Sequence, residues 1–144
     1  MLMEIPNLIT PEVYDVIYRM GHFDELVIAD ANYSATAMSK KIVYSSTKKN
    51  EELLAAIIKY FPIDEDEENA VYVMIPDHEY DHEPEIWSDY RKVLEDQEYS
   101  EKIRLTKIIR SDFYERTKRA YATIQTNDIR LFADIIIRKG FVVE

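Results

Sequence analysis

Two hydrophobic periods alternate along the chain, and this alternation constrains the fold more than any other feature of the sequence. Apolar residues recur at helical spacing in segments 13–20, 53–61, 86–94 and 111–119, and cluster in short strand-like runs at 25–29, 41–44, 70–75, 102–105, 121–125 and 134–138. Strands that alternate with helices of about ten to fourteen residues are typical of layered α/β proteins. We therefore predict an α/β fold, a three-layer α/β/α single domain over residues 1–144, with a central mixed, largely parallel sheet of about six strands.

Composition excludes several classes of function. The 144 residues contain no cysteine, which rules out disulfides, thiolate nucleophiles and iron–sulfur clusters. The two glycines, Gly21 and Gly140, lie far apart, so no glycine-rich phosphate-binding loop can form. A net charge of −10 disfavours nucleic acid and anionic membranes as partners, and no apolar run approaches the roughly 20 residues of a membrane helix. The N-terminal residues lack a secretory pattern, and we expect a cytoplasmic protein.

One short motif matches a zinc-peptidase pattern. His78-Glu-Tyr-Asp-His82 places two histidines four residues apart, with a glutamate after the first. Zinc chemistry of this kind needs a stable helix that presents both imidazoles to a protected pocket. The segment lies between Pro76 and Pro84, is strongly acidic and has no apolar face. We therefore predict a solvent-exposed loop and no metal site here, and keep a zinc hydrolase as a minor alternative.

Two further patterns are interpreted as structural. The acidic run 64–68 follows a helix that Pro62 ends, and it is predicted to be a solvated connection. Four large aromatic residues are predicted to pack in the core or at a subunit interface rather than to form a sugar platform: Phe61, Trp87, Tyr90 and Phe113.

Two residues that flank the predicted strand 25–29 are candidates for a ligand site. Thr10 predicts the start of the first helix, and Gly21 is expected to end it in a left-handed conformation. His22 then lies in the turn before strand 25–29, and Asp30 follows the carboxyl end of that strand. Ligands of open α/β sheets bind beyond the carboxyl ends of strands, and an imidazole exchanges protons near neutral pH. Ordinary capping or turn roles would also account for either residue alone.

At these residues the sequence resembles a known family of sugar mutarotases, which contains L-fucose mutarotases and D-ribose pyranases. The matching segments are Ile9-Thr-Pro-Glu12, Met20-Gly-His-Phe-Asp-Glu-Leu-Val-Ile-Ala-Asp-Ala-Asn32, Arg110-x-x-Phe113-Tyr-Glu-Arg116, Ala120-Tyr-Ala122 and the region from Phe132 to Gly140. The resemblance spans essentially the whole chain. It implies an α/β isomerase that interconverts the anomers of a free sugar without a cofactor, in a ring-shaped homo-oligomer, typically a decamer, whose pockets a neighbouring subunit completes.

The resemblance also assigns the site. It places the proton-donating histidine at His22 and sugar-binding residues at Asp30 and Arg110. Arginine at position 110 is typical of the fucose branch, whereas the ribose branch has histidine, so we expect L-fucose as substrate and keep D-ribose as the alternative. His22 is expected to exchange a proton with the ring or anomeric oxygen, while Asp30 and Arg110 hold sugar hydroxyls.

The C-terminal part of the expected site departs from the family pattern. The usual Tyr-x-Asn reads Phe132-Ala-Asp134 here, so a phenol hydroxyl is missing and a carboxyl group replaces a neutral amide. We expect Phe132 to pack against the apolar face of the sugar. Asp134 is expected to act as a hydrogen-bond acceptor, with a pairing to Arg110 as one option. These changes leave a weakly catalytic sugar-binding homologue as a further alternative.

Overall fold

The computed structural model describes residues 2–65, 69–77, 82–97 and 103–144. Within these ranges the strands are β1 (Glu25–Ala29), β2 (Ile42–Tyr44), β3 (Val71–Met74), β4 (Leu105–Ile108), β5 (Ala122–Gln125) and β6 (Ile135–Arg138). The helices are α1 (Pro11–Arg19), α2 (Ala35–Met38), α3 (Asn50–Ile58), α4 (Ile86–Asp96) and α5 (Arg110–Arg119). Across the described ranges, no helix has both the length and the apolar character needed to cross a membrane.

The strands form one sheet in the order β2-β5-β1-β6-β3-β4. Strands β2, β5 and β1 pair in parallel, and so do β3 and β4. Strand β6 runs antiparallel to both β1 and β3 and so joins the two parallel groups. Five strands therefore point the same way, which confirms the predicted mixed, largely parallel sheet. The residues that follow these five strands and those that precede β6 all meet at one edge of the sheet.

Helices cover both faces of the sheet. Leu26 and Ile28 of β1 pack into a core that includes residues of α1, α3 and α4. Val27 and Ala29 point to the opposite face and pack with residues of α2 and α5. Alternate residues of a strand face opposite sides, so a strand covered on both sides needs the continuous apolar run seen here. The three-layer prediction is confirmed, and so is the burial of the four aromatic residues named above: Phe61, Trp87, Tyr90 and Phe113.

Two elements of the structure differ from the sequence prediction, because each gives a weak signal in the sequence. Helix α2 is a single turn that was not predicted, and four residues are too few to show a helical period. The predicted strand 102–105 is wrong in its limits, since β4 runs from Leu105 to Ile108. Lys102 lies outside the described residues. Strand β4 is at the edge of the sheet and none of its four residues is fully buried, which leaves little hydrophobic contrast to mark its ends.

Candidate active site

Four of the five predicted site residues lie along the edge where the parallel strands end. Asp30 and Asp134 are in contact there, whereas Arg110 follows β4, which is separated from β1 by β6 and β3. Asp30 directly follows β1, and Arg110 begins α5 just after β4. Strand β6 is antiparallel to β1, so its start lies at this same edge and brings Phe132 and Asp134 with it. We refer to Asp30, Arg110, Phe132 and Asp134 as the carboxyl-edge cluster.

Asp30 and Asp134 form a buried pair of carboxyl groups, with residue exposures of only 7% and 4%. The backbone N–H of Asp30 donates to Oδ1 of Asp134 at 2.8 Å, and the backbone N–H of Asn32 donates to Oδ1 of Asp30 at 2.8 Å. Burial raises the pKa of Asp30, and burial together with the nearby charge of Asp30 raises the pKa of Asp134 well above its ordinary value. Two buried carboxyls so close together disfavour double ionisation, so the raised pKa values favour one shared proton for the pair.

The raised pKa of Asp134 favours a neutral carboxyl group at the position where the family usually has asparagine. A neutral carboxyl group has an O–H donor and a carbonyl acceptor, and the side-chain amide of asparagine has an NH₂ donor and a carbonyl acceptor. Each group can therefore donate and accept hydrogen bonds at the same position. A protonated Asp134 matches asparagine in shape and in its capacity to donate and accept a hydrogen bond.

A buried polar network fixes the loop between β5 and β6, which carries half of the carboxyl-edge cluster. The Asn50 side-chain amide donates to the Ala133 carbonyl at 3.1 Å, and the Thr126 hydroxyl donates to Oδ1 of Asn50 at 2.6 Å. The Asp128 carboxylate accepts the backbone N–H of Asn50 at 2.9 Å and pairs with Arg130 at 2.6 Å. Buried polar groups that are all bonded hold a single backbone conformation. The network was not predicted, because its members lie far apart in the sequence.

Phe132 and Arg110 each contact a residue outside the carboxyl-edge cluster. Phe132 is half-buried, has a positive φ of 61°, and lines a cleft of about 320 Å³. Its carbonyl accepts a hydrogen bond from the Trp87 indole at 3.2 Å. The Arg110 guanidinium is half-exposed and forms an ion pair with Asp77. The option of an Arg110–Asp134 pair is therefore wrong among the described residues, where Asp134 is paired with Asp30 instead.

His22 lies at the opposite end of β1, in the turn that follows α1. Neither glycine of the chain has a positive φ, so the predicted left-handed Gly21 is wrong. The Asp24 carboxylate caps the turn by accepting the Gly21 N–H at 2.7 Å, and Phe23 takes the positive φ of 73°. That conformation places the Phe23 ring on the imidazole of His22, with ring centroids 3.8 Å apart, and the Phe141 ring meets the imidazole edge-on at 4.9 Å. Strain of this kind at a residue with a side chain is characteristic of functional sites.

One chain alone does not bring His22 to the carboxyl-edge cluster. The five residues of β1 separate the two ends, and at about 3.3 Å per residue the strand spans roughly 16 Å. This length exceeds what a single monosaccharide can bridge.

The surface around His22 is rich in exposed apolar side chains. Phe23 and Phe141, which contact the imidazole, are both exposed, and so are Val142 and Val143, which follow Phe141 in the chain. Exposed apolar clusters of this kind mark contacts with other molecules.

The zinc-peptidase motif is only partly described. His78 lies outside the described residues, and His82 lies in the segment before α4. Among the described residues, no three histidine or acidic side chains are grouped as a metal site would require.

The fold and the carboxyl-edge cluster define an α/β protein with a polar site at the carboxyl ends of its parallel strands. A family model described as the RbsD / FucU transport protein family matches residues 3–142, and the chain belongs to this family. The resemblance inferred from the sequence is thereby confirmed.

Individual relatives align with this chain over nearly their full length. Fucose mutarotase of Danio rerio is 36% identical, with 98% of this chain and 94% of the relative aligned. Fucose mutarotase of Homo sapiens is 34% identical, with 96% of this chain and 93% of the relative aligned. The crystal structure of fucose mutarotase from Streptococcus pneumoniae in complex with L-fucose superposes with a TM-score of 0.91 at 37% identity, covering 99% of this chain and 100% of the other.

Proposed function

We propose that this protein is a cofactor-independent isomerase that interconverts the α and β anomers of free L-fucose. The observation that carries the proposal is the full-length likeness to a fucose mutarotase whose crystal structure holds L-fucose. Beside it, His22 and the carboxyl-edge cluster supply the acid–base and polar groups that mutarotation needs. A single domain over residues 1–144 stays a prediction, supported by one sheet that joins strands from both halves of the chain.

The chemistry requires two proton transfers and no net change in protonation. A proton leaves the anomeric hydroxyl, the C1–O5 bond breaks to give an aldehyde, and the ring oxygen gains a proton. After rotation about C1–C2, closure on the other face reverses both transfers. We assign the proton exchange to His22, the recognition of sugar hydroxyls to Asp30 and Arg110, and the apolar contact to Phe132. Asp134 keeps Asp30 in place through the hydrogen bond to its backbone.

We infer that each site is shared between two copies of the chain. The imidazole and the carboxyl-edge cluster lie at opposite ends of β1, so His22 of one copy must approach the cluster of a neighbour for both to reach one sugar. The exposed apolar residues around His22 support contact with a neighbouring copy there. A ring-shaped decamer and a cytoplasmic location stay predictions.

D-ribose is the alternative substrate, and a weakly catalytic sugar-binding homologue is the alternative activity. Arginine at position 110 and the names of the curated relatives favour L-fucose. Saturation-transfer NMR on each equilibrated sugar measures the exchange rate between its anomers directly. We expect the purified protein to accelerate L-fucose exchange more than D-ribose exchange. Thermal stabilisation by L-fucose with no exchange above the buffer rate would refute catalysis, and faster exchange of D-ribose would refute the substrate.

A further inference from the structure

The acidic run after α3 contains a buried carboxylate beside His22. This run was predicted to be solvated, and for Asp64 that prediction is wrong, since the residue is only 1% exposed; residues 66–68 lie outside the described residues. Oδ1 of Asp64 lies 3.6 Å from Nε2 of His22. The side chain of Asp64 is fully buried, whereas that of His22 is one-third exposed, so the carboxylate approaches the imidazole from the protein side.

The backbone is built to hold Asp64 in this place. Ile63 pairs with Lys139 in an isolated β-bridge beyond the end of β6, and the Asp64 N–H donates to the Arg138 carbonyl at 3.0 Å. The Gly140 N–H donates to the Pro62 carbonyl at 2.7 Å.

Gly140 is needed at this point for its missing side chain. A Cβ on Gly140 would lie 2.9 Å from the Ile63 carbonyl oxygen and 3.1 Å from both Cα and N of Asp64. The φ of Gly140 is not positive, so close approach rather than conformation requires the glycine. The segment that carries Asp64 is therefore packed directly against the chain beyond β6, at the edge where His22 lies.

We infer that Asp64 is a positioning residue for His22, accepting the Nε2–H of the imidazole so that Nδ1 exchanges the proton with the sugar. In a histidine, the hydrogen bond made by one ring nitrogen sets the protonation of the other. With Nε2 held as the donor, Nδ1 takes the proton of the anomeric hydroxyl as the C1–O5 bond breaks and returns it to the ring oxygen. Between the two transfers, the carboxylate of Asp64 stabilises the imidazolium.

Other charged groups near the turn have different partners. The Asp24 carboxylate caps the Gly21 N–H, and the Lys139 ammonium donates to the carbonyls of Ile17 and Met20 at 3.2 and 2.6 Å. These groups fix the turn itself. Asp64 is the described carboxylate within ion-pair distance of the imidazole. The 3.6 Å between Nε2 of His22 and Oδ1 of Asp64 is longer than a hydrogen bond. Such distances between catalytic groups are often long in the free enzyme and shorten when the substrate binds.

The test replaces the carboxylate while keeping its shape. In Asp64→Asn we expect kcat for L-fucose exchange to fall by about 10- to 100-fold with little change in KM, as for other partners that orient a functional imidazole. Asp64→Glu retains the carboxylate and should recover part of kcat. Glu95→Gln, an exposed residue on α4 with the same change of charge, is the control and should exchange L-fucose like the wild type.

A spectroscopic readout separates this inference from the proposed function on which it rests. The ¹⁵N shifts of His22, followed to alkaline pH until they stop changing, report which ring nitrogen carries the proton. We expect the Nε2–H form in the wild type and in Asp64→Glu, and a mixture of both forms in Asp64→Asn. An Asp64→Asn protein with the wild-type ¹⁵N pattern and an unchanged kcat would overturn the role of Asp64. A wild-type protein that exchanges no sugar but shows the Nε2–H form would refute the proposed function and leave the pairing intact.

Discussion

Replacing Asp134 by asparagine tests whether the buried carboxyl pair holds a proton. Asp134 is 4% exposed, and its Oδ1 accepts the Asp30 backbone N–H at 2.8 Å, a bond that the asparagine oxygen can keep. The amide N–H₂ can replace the carboxyl O–H as the donor toward the Asp30 side chain. The substitution therefore preserves shape and hydrogen bonds and removes only the ability to ionise.

The sign of the pH dependence follows from the direction of the pKa shift. The pKa of Asp134 is raised in the folded protein by burial and by the charge of Asp30, so folding favours the protonated carboxyl. Its contribution to stability is present below the ordinary carboxyl pKa and is lost as the pH rises through the raised value. Asparagine suffers no such loss. We expect Asp134→Asn to equal the wild type near pH 4 and to exceed it by about 1–3 kcal/mol in alkaline buffer, the usual penalty for a poorly paired buried polar group.

Urea unfolding of both proteins at several pH values between about 4 and 9 measures this difference directly. The Glu95→Gln protein serves as the control for a lost surface charge and should track the wild type at every pH. L-fucose exchange should persist in Asp134→Asn, because the variant restores the amide usual in the family. A stability difference that stays constant with pH, or one that grows in favour of the wild type as the pH rises, would refute the shared proton.

Two other substitutions test the packing at Gly140 and the role of His22. Gly140→Ala should destabilise the protein by about 1–3 kcal/mol, because its methyl group would lie 2.9 Å from the Ile63 carbonyl oxygen. Gly21→Ala is the matched control: its methyl group would have 3.7 Å to the nearest atom, so its urea midpoint should stay close to that of the wild type. A Gly140→Ala midpoint equal to that of Gly21→Ala would contradict the close approach. His22→Ala should keep the oligomer size in light scattering and slow L-fucose exchange by at least about tenfold, and an unchanged rate would refute its assignment.

The elements of the fold were accessible from the sequence because each leaves a local pattern. The buried run before Asp30 predicted β1 with its observed limits, and Thr10 predicted the start of α1, where its side chain accepts the Val13 N–H at 3.3 Å. Local patterns fail where burial is partial or an element is short, which accounts for the limits of β4 and the missing α2.

The contacts that build the site could not be read in the same way. Asp30 and Asp134 are 104 residues apart, and only the position of β6 beside β1 brings them together. Asp64 lies in a stretch whose acidity predicts exposure. Nothing in that stretch indicates that its backbone packs against Gly140, where the missing side chain allows the close approach. Pairings between distant segments depend on strand order, and strand order leaves no period in the sequence.

Subunit mixing is the most direct test of the claim that His22 and Asp30 act on one sugar from two different copies. Each of His22→Ala and Asp30→Asn should be nearly inactive alone. In oligomers assembled from equal amounts of both, about a quarter of the sites should combine an intact His22 with an intact Asp30, if subunits mix at random across a head-to-tail interface. We therefore predict about a quarter of the wild-type L-fucose exchange rate in the mixed protein. Mixed oligomers no more active than the two separate variants would contradict the shared site.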